Sequence, residues 1–220
     1  MIIKTFIEPP IDNNNYLIVD EETKEAALVD CSAIDIWDKV PQNKGDVSVS
    51  TSGTDRKEIK DVTLKYVLLT HGHFDHIAGL RPFVNEDAPI VVMHKADLGW
   101  LNNVNSFMPM FGMPEMSIPK IDKFIDEGDI IKLGNLEIKV LHTPGHTQGG
   151  VCYYVEDKLF SGDTIFREAV GRYDLEGGNF DQIVESIENK IYTLPDDTEI
   201  LPGHGKPTTV GWEKTHNRFL

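Results

Sequence analysis

The stretch LLTHGHFDHIAG, residues 68–79, places three histidines and one aspartate within six positions, directly after an apolar run. His71 and His73 alternate along a chain that leaves a predicted strand, so extended geometry can point both side chains to the same side. Asp75 and His76 follow where a helix is predicted to begin, and the turn directs them toward a second position nearby. The stretch therefore predicts ligands for two neighbouring metal ions at the end of a strand.

Three further glycine-flanked elements supply the same kinds of side chain. HTPGHTQGG contains His142 and His146, FSGDTIF contains Asp163, and LPGHG contains His204. Each element ends a strand-like run, where a loop can project into a common cleft. An expression tag does not explain the first cluster, because it is internal and interrupted by Gly, Phe and Asp. The four elements together predict a metal site with nitrogen and oxygen ligands.

The composition bounds the size of the fold and its partners. With 220 residues and 40% hydrophobic content, the chain can bury one sizeable core, so a single domain over residues 1–220 is expected. Its 36 acidic and 21 basic residues, net charge −15, would repel a phosphate backbone, which argues against nucleic acid as a partner. No run of about 18 apolar residues could cross a bilayer and the N-terminus lacks signal-peptide features, so no membrane partner and a cytoplasmic location are expected.

Short strand-like runs alternate with helical patterns, which favours an α/β sandwich. Tight turns are expected at Gly134-Asn135 and Glu156-Asp157, so the sheets should be mixed and contain antiparallel pairs. Strands are predicted over 2–7, 16–19, 26–29, 66–69, 90–93, 129–133, 136–141, 150–155 and 158–161. The isolated Cys31 and Cys152 are interpreted as packing residues.

Helical patterns follow Ser32 and Asp75, and a third begins at Asp181, which is predicted as its N-cap. Residues 41–61 and 102–120 are predicted to be loops, and no role is assigned to the 45–60 segment. His94 is interpreted as a capping or packing residue. His142 is interpreted as structural, with a hydrogen bond to a metal ligand as the alternative.

Methionine is concentrated in the second loop, which holds four methionines and two phenylalanines within residues 107–116. Because methionine adapts to irregular surfaces, a flexible apolar lid over the metal cleft is one interpretation. A covering loop packed on the core, or a contact between two copies of the chain, is the other.

The motifs together resemble the metallo-β-lactamase-fold hydrolases, and within them the glyoxalase II group. The resemblance runs from NNNYLIVD through THGHFDHIAGL, HTPGHTQGG, LFSGDTIF, GRYDLEGG and LPGHG to TTVGWEKTHNRFL, which is nearly the whole chain. It implies an α/β fold, a four-layer αββα sandwich of two mixed β-sheets with the metals at one edge. It implies His71, His73 and His146 as ligands of the first metal, Asp75, His76 and His204 as ligands of the second, and Asp163 as the bridging carboxylate.

The resemblance also implies the chemistry. Two divalent metal ions, zinc first and iron or manganese as alternatives, would share a bridging hydroxide that attacks a small-molecule thioester such as S-lactoylglutathione. Asp75 would be catalytic, because it is placed to accept a hydrogen bond from that hydroxide. Arg172, in GRYDLEGG, would anchor an anionic substrate. Asp163 stands where class B β-lactamases commonly carry cysteine, which argues against that activity.

The sequence also departs from the glyoxalase II pattern. The chain resembles a short form without the C-terminal helical domain that longer glyoxalase II enzymes use to hold glutathione, since it stops at Leu220. A mono-iron persulfide dioxygenase, a hydrolase of another ester, lactone or lactam, and a non-catalytic binding subunit are the alternatives. The sequence predicts no oligomeric state.

Overall fold

The computed structural model describes residues 1–8, 11–40, 61–83 and 88–220 and the backbone of residues 49–50 and 58–59. The N-terminal part of the chain builds the first sheet. The strands of this part are β1 (Ile2–Glu8), β2 (Asn13–Val19), β3 (Glu25–Val29), β4 (Val49–Ser50), β5 (Glu58–Ile59), β6 (Thr63–Leu68), β7 (Ile90–His94) and β8 (Lys123–Ile125). The sheet has the strand order β1-β2-β3-β6-β7-β8, in which neighbours are antiparallel from β1 to β3 and parallel from β3 to β8. Strands β4 and β5 pair with each other in a separate two-stranded sheet.

The second sheet is built by the rest of the chain, in the order β16-β15-β12-β11-β10-β9. Strands β12 and β15 are parallel, and the other neighbours are antiparallel. A separate small hairpin joins β13 and β14. The strands are β9 (Ile130–Leu133), β10 (Leu136–His142), β11 (Val151–Val155), β12 (Lys158–Gly162), β13 (Ile165–Phe166), β14 (Ala169–Val170), β15 (Glu199–Pro202) and β16 (Thr208–Thr209).

Short helices cover the outer faces of both sheets. The α-helices are α1 (Phe74–Ile77), α2 (Leu98–Asn102), α3 (Phe180–Ser186) and α4 (Val210–His216). A π-helical turn, Ile187–Ile191, continues α3. The 3-10 helices are Ile34–Asp38, Lys95–Asp97, Val104–Ser106 and Met108–Phe111. Every helix of the described ranges is too short or too polar to cross a membrane.

Three apolar clusters separate four layers. Side chains alternate along each strand, so Leu28 of β3 faces helices in one cluster while Val29 faces the second sheet in another. In the second sheet Cys152 faces α3 in the third cluster, whereas Tyr153 faces the first sheet. Two mixed sheets between helical layers are the predicted αββα sandwich, and this prediction is confirmed.

Most local predictions agree with the structure, and three need correction. Both predicted tight turns close two-residue hairpins, and both cysteines are buried and free. The N-cap of α3 is Asn179 and not Asp181, because the Asn179 side chain accepts the Gln182 N–H. The pattern after Ser32 forms a 3-10 helix. Strands β8 and β13 to β16, which are two to four residues long, were not predicted. The predicted loop over 41–61 lies mostly outside the described residues.

Candidate metal centre

The predicted ligands lie in loops that follow the carboxyl ends of strands. Strands β3 and β6 are parallel in one sheet and β12 and β15 are parallel in the other, so in each sheet the loops after these strands leave from one edge. The loop after β6 carries the HGHFDH motif, and the loops after β10, β12 and β15 carry His146, Asp163 and His204. Both sheets therefore contribute side chains to one cleft.

The structure brings all seven predicted ligands together in three overlapping groups. Within each group the candidate ligand atoms lie no more than 4.8 Å apart. The first two groups coincide with the two ligand sets implied by the sequence resemblance, and Asp163 joins histidines from both. The groups are His71, His73 and His146; Asp75, His76 and His204; and His71, His76 and Asp163.

The first group turns ring nitrogens toward one another. His146 Nδ1–H donates to the carbonyl of Arg172 at 2.7 Å, which leaves the lone pair on Nε2 facing the cleft. His71 Nδ1 lies 3.1 Å from the Thr70 hydroxyl, whose hydrogen goes to Asp30; His71 Nδ1 is therefore the donor and Nε2 carries its lone pair. That Nε2 lies 3.2 Å from His73 Nδ1.

The second group places carboxylates against imidazoles. His204 Nε2 is 3.1 Å from Asp75 Oδ2, and His76 Nε2 is 3.4 Å from the same oxygen. Asp163 lies between the groups, with Oδ1 3.3 Å from His76 Nε2 and Oδ2 3.7 Å from both His146 Nε2 and His204 Nε2. One carboxylate thus faces histidines of both groups.

The pKa shifts of His71, His73 and the two carboxylates suit metal binding. Burial lowers the pKa of His71 well below its usual value, and burial with the neighbouring His146 lowers the pKa of His73 to about 3. Burial alone would raise the pKa of Asp75 and Asp163, but His76 and its neighbours hold both below the usual carboxyl range. Neutral imidazoles and ionised carboxylates are the forms that bind divalent metals.

The acidic neighbours act oppositely on the second group. Burial alone would lower the pKa of His76, but Asp30, Asp163 and Asp75 together raise it well above its usual value. Burial alone would also lower the pKa of His204, but its hydrogen bond to Asp75 and the charge of Asp163 raise it. A metal ion bound at this position would replace protons as the positive charge among the carboxylates.

Unpartnered buried atoms support the fit of metal ions to this site. His73 Nε2, His146 Nε2 and Asp163 Oδ1 are buried and have no hydrogen-bond partner of good geometry among the described residues, although Asp163 Oδ1 lies 3.3 Å from His76 Nε2. Leaving such atoms unpaired costs about 1–3 kcal/mol each, so their convergence is explained best by cations that they bind. The mixed nitrogen and oxygen set suits zinc, iron or manganese.

The family model of the metallo-beta-lactamase superfamily matches residues 9–204, which contain all seven predicted ligands. The chain belongs to this superfamily. Its members bind divalent metals, and the His and Asp groups of this metallo-hydrolase are the candidate site. The chain is 35% identical over 177 residues to "Hydroxyacylglutathione hydrolase GloC" of Haemophilus influenzae, an alignment that covers 75% of this chain and 80% of that protein.

Two solved structures resemble the chain along almost its full length. The BLEG-1 B3 metallo-beta-lactamase is 32% identical with a TM-score of 0.80, and the superposition covers 99% of both chains. TTHA1623 in a di-iron-bound form is 30% identical with a TM-score of 0.78, covering 99% of this chain and 100% of that one.

Asp30, which the sequence analysis did not single out, supports a histidine of each group. It is buried at the end of β3, where it accepts the Thr70 N–H at 2.8 Å and the His76 Nδ1–H at 2.7 Å. It also accepts the Thr70 hydroxyl that contacts His71. Such hydrogen bonds fix the tautomer and orientation of a metal ligand.

The Asp30→Asn protein is expected to bind metal about 10–100-fold more weakly, the usual effect of losing an outer partner of a ligand. Asparagine tolerates the left-handed backbone conformation of Asp30, φ 60°. The expected loss of metal affinity would therefore come from the changed hydrogen bonds and not from backbone strain. Competition with a chromophoric chelator measures the affinity. The exposed Asp35→Asn change is the control, and equal affinity in both variants would refute the supporting role.

Asp97 connects the loops that carry the first ligand group. It is buried, its Oδ2 accepts the Gly72 N–H at 2.9 Å and the Thr147 hydroxyl at 2.7 Å, and its Oδ1 accepts the Gly149 N–H at 2.6 Å. Gly72 separates His71 from His73, and Thr147 follows His146. One carboxylate therefore holds the HGH and HTPGH segments together.

Three consecutive asparagines begin β2 behind the second group. Asn13 Nδ2 lies 2.9 Å from His76 Nε2, and Asn14 Nδ2 donates to carbonyls on either side of His204, at Pro202 and Gly205. Asn15 bonds to Ser32. All three asparagines are buried. The signal in the sequence is a polar triplet at the start of an apolar strand, where three buried amides need specific partners.

The methionine-rich loop packs on the core and also lines the cleft. Met108 is buried in the first apolar cluster and Met113 packs against it, as a covering loop would. Met110 and Phe111 are exposed and line a cleft of about 700 Å³ that also contains His73, Asp75, His146, Asp163 and His204.

Arg172 lies at this cleft, but its guanidinium is engaged. Its Nε and Nη2 donate to the two oxygens of Asp174 at 2.9 and 3.0 Å. Arg172 contacts the proposed ligands through its backbone carbonyl, which accepts the His146 Nδ1–H.

The remaining histidines stay outside the three ligand groups. His94 caps a 3-10 helix by accepting the Ala96 N–H, as predicted. His142 stacks on His94 with ring centroids 4.2 Å apart, and these two form a separate cluster with the exposed Asp126. His216 stacks on Trp212.

Proposed function

We propose that this chain is a dinuclear metallohydrolase of the glyoxalase II-like type, in which a single cytoplasmic domain cleaves a small-molecule thioester. Neither nucleic acid nor a membrane is proposed as a partner. His71, His73 and His146 would hold one divalent ion, Asp75, His76 and His204 the other, and Asp163 both. Zinc is the proposed metal and iron the alternative, which the di-iron form of TTHA1623 supports.

The proposal rests on which titratable side chains line the cleft in addition to the proposed ligands. Apart from Arg172, every titratable side chain among its described lining residues belongs to the proposed ligand set. The described lining therefore offers no separate general acid that could protonate a leaving group. A thiol, with a pKa of about 8.5, can leave as thiolate without that proton, whereas an amine cannot.

The metals, when bound, would lower the pKa of a water molecule and polarise the substrate carbonyl. The chain's own part is to orient that water molecule. The Asp75 carboxylate, which is ionised and lines the cleft, would accept the hydrogen bond that orients it. The similarity to GloC, named a hydroxyacylglutathione hydrolase, supports a thioester as the substrate.

The decisive experiment compares matched leaving groups on the metal-loaded protein. A thioester, an oxoester and an amide with the same acyl group, together with S-lactoylglutathione, are assayed while bound metal is measured by mass spectrometry. We expect two metal ions per chain and kcat/KM highest for the thioester and lowest for the amide. A kcat/KM for the amide equal to that for the thioester would contradict the leaving-group argument.

Two other activities are tested beside it. β-Lactam hydrolysis is favoured by the similarity to the BLEG-1 structure, so a chromogenic cephalosporin is included, and preference for it over every thioester would replace the proposal. A persulfide dioxygenase would hold one iron by two histidines and one aspartate; one iron per chain and oxygen uptake with glutathione persulfide would favour that function instead.

A further inference from the structure

The wall of the cleft in front of the proposed ligands is apolar and largely aromatic. Trp100 and His73 make an edge-to-face contact, with ring centroids 4.6 Å apart. Phe111 stacks on Phe74 at 4.1 Å and an interplanar angle of 21°. Both aromatic pairs place apolar surface directly beside metal-binding side chains.

This apolar surface is open to a ligand. Met110 is 77% exposed and Phe111 is 44% exposed, although both line the cleft. Phe166, Val170 and Leu175 complete the lining on the side of the second sheet. Apolar area that stays exposed inside a concave site favours an apolar ligand, because burying that area on binding is energetically favourable.

The charges in the cleft do not favour an anionic ligand. Arg172 is the one lysine or arginine among the described lining residues, and Asp174 already neutralises it through two hydrogen bonds. The other charged side chains at the cleft, Asp75 and Asp163, are acidic. Glutathione carries two carboxylates, and beyond the proposed metal ions the described lining residues supply no lysine or arginine for them that lacks a partner.

We propose that this cleft selects thioesters with an uncharged, apolar acyl group, alkyl or aromatic, over thioesters of glutathione. The inference rests on the proposed thioester hydrolase function and names its substrate class. In the reaction, water supplies a hydroxyl to the acyl carbon, the C–S bond breaks, and the sulfur takes up the remaining proton, which gives a carboxylic acid and a free thiol. The anchor predicted at Arg172 has no part in it.

An acyl series on one uncharged thiol tests the selectivity of the metal-loaded protein. Acetyl, hexanoyl and 3-phenylpropanoyl thioesters of N-acetylcysteamine are compared with S-lactoylglutathione. We expect kcat/KM to rise at least about tenfold from acetyl to hexanoyl, because four more methylenes can be buried, and to exceed that of S-lactoylglutathione. A higher kcat/KM for S-lactoylglutathione than for the hexanoyl thioester would overturn the inference.

Paired variants locate the apolar contact. Phe111→Ala is expected to lower kcat/KM about tenfold more for the hexanoyl thioester than for the acetyl thioester. Phe124→Ala, at a residue 42% exposed on β8 and outside the cleft, is the matched control. Equal effects of Phe111→Ala on both substrates would overturn the contact.

A binding measurement separates this inference from the proposed activity. Calorimetry compares two uncleavable thioethers on the metal-loaded protein, S-hexyl-N-acetylcysteamine and S-hexylglutathione. We expect the uncharged thioether to bind at least as tightly as the anionic one, and tighter binding of S-hexylglutathione would overturn the inference. If no thioester is cleaved, the proposed function fails, and the two affinities still decide what the cleft binds.

Discussion

The Asp163→Asn protein is expected to lose about 10³-fold in kcat/KM for a thioester and to retain less than its full complement of metal. Asp163 faces His76 at 3.3 Å and both His146 and His204 at 3.7 Å, so its charge serves both proposed metal positions. Asparagine keeps the shape but removes that charge. Metal ions contribute several kcal/mol of transition-state stabilisation, and each tenfold in rate corresponds to about 1.4 kcal/mol.

Two measurements on the same samples test this prediction: metal content by mass spectrometry, and kinetics with saturating metal. The control is Asp157→Asn, the same change in an exposed turn beside Lys158, which should leave both quantities unaltered. Full metal content and activity in Asp163→Asn would remove Asp163 from the proposed ligand set.

The ligand motifs could be read from the sequence because each is local. His71, His73, Asp75 and His76 are separated by so few residues that strand and helix geometry fixes their relative directions. Glycine-flanked loops after strand-like runs marked the positions of His146, Asp163 and His204. Their convergence followed from the resemblance to a known family, since no single loop specifies where another one ends.

The supporting residues could not be read in this way. Asp30 reaches His76 across 46 positions of the chain, and Asp97 reaches Gly149 across 52. Each acts through hydrogen bonds to distant donors, which leave no spacing in the sequence. A buried aspartate and an exposed one look alike in sequence, and the difference emerges only when the sheets bring their loops together.

The fold shows the same division between local and distant causes. Long alternating runs such as those of β1 and β10 were predicted because alternation is a local pattern. Strand β15, only four residues long, owes its structure to parallel pairing with β12. The methionine-rich loop was ambiguous because Met108 packs inward and Met110 points to the cleft, a distinction set by tertiary packing and not by residue type.

The second large effect is expected for Asp97→Asn. Asp97 receives three donors, two of them backbone N–H groups and the third the Thr147 hydroxyl. An asparagine has a single acceptor oxygen, and its NH2 group would face a donor. At least one buried N–H loses its partner, which costs about 1–3 kcal/mol, and the HGH and HTPGH segments shift apart. We expect metal affinity and kcat/KM to fall about 10–100-fold.

Changes at Thr147 separate this positioning role from a loss of stability. Thr147→Val keeps the shape and removes the hydroxyl donor, whereas Thr147→Ser keeps the donor. We expect Thr147→Val to weaken metal binding in the same direction as Asp97→Asn, and Thr147→Ser to restore it. Metal affinity is measured by chelator competition at a temperature where circular dichroism shows every variant to be folded. Unaltered affinity in Asp97→Asn, with a lowered Tm, would reduce Asp97 to a structural residue.

The double variant completes the argument for Asp97. Residues that act through one shared hydrogen bond are not additive, whereas independent residues are. If Thr147 acts on the metal site through Asp97, then Asp97→Asn combined with Thr147→Val should weaken metal binding no more than Asp97→Asn alone. A further loss equal to that of Thr147→Val would mean that the hydroxyl supports His146 by another route. The non-additivity of this pair therefore measures how far one carboxylate couples the loops of the two sheets.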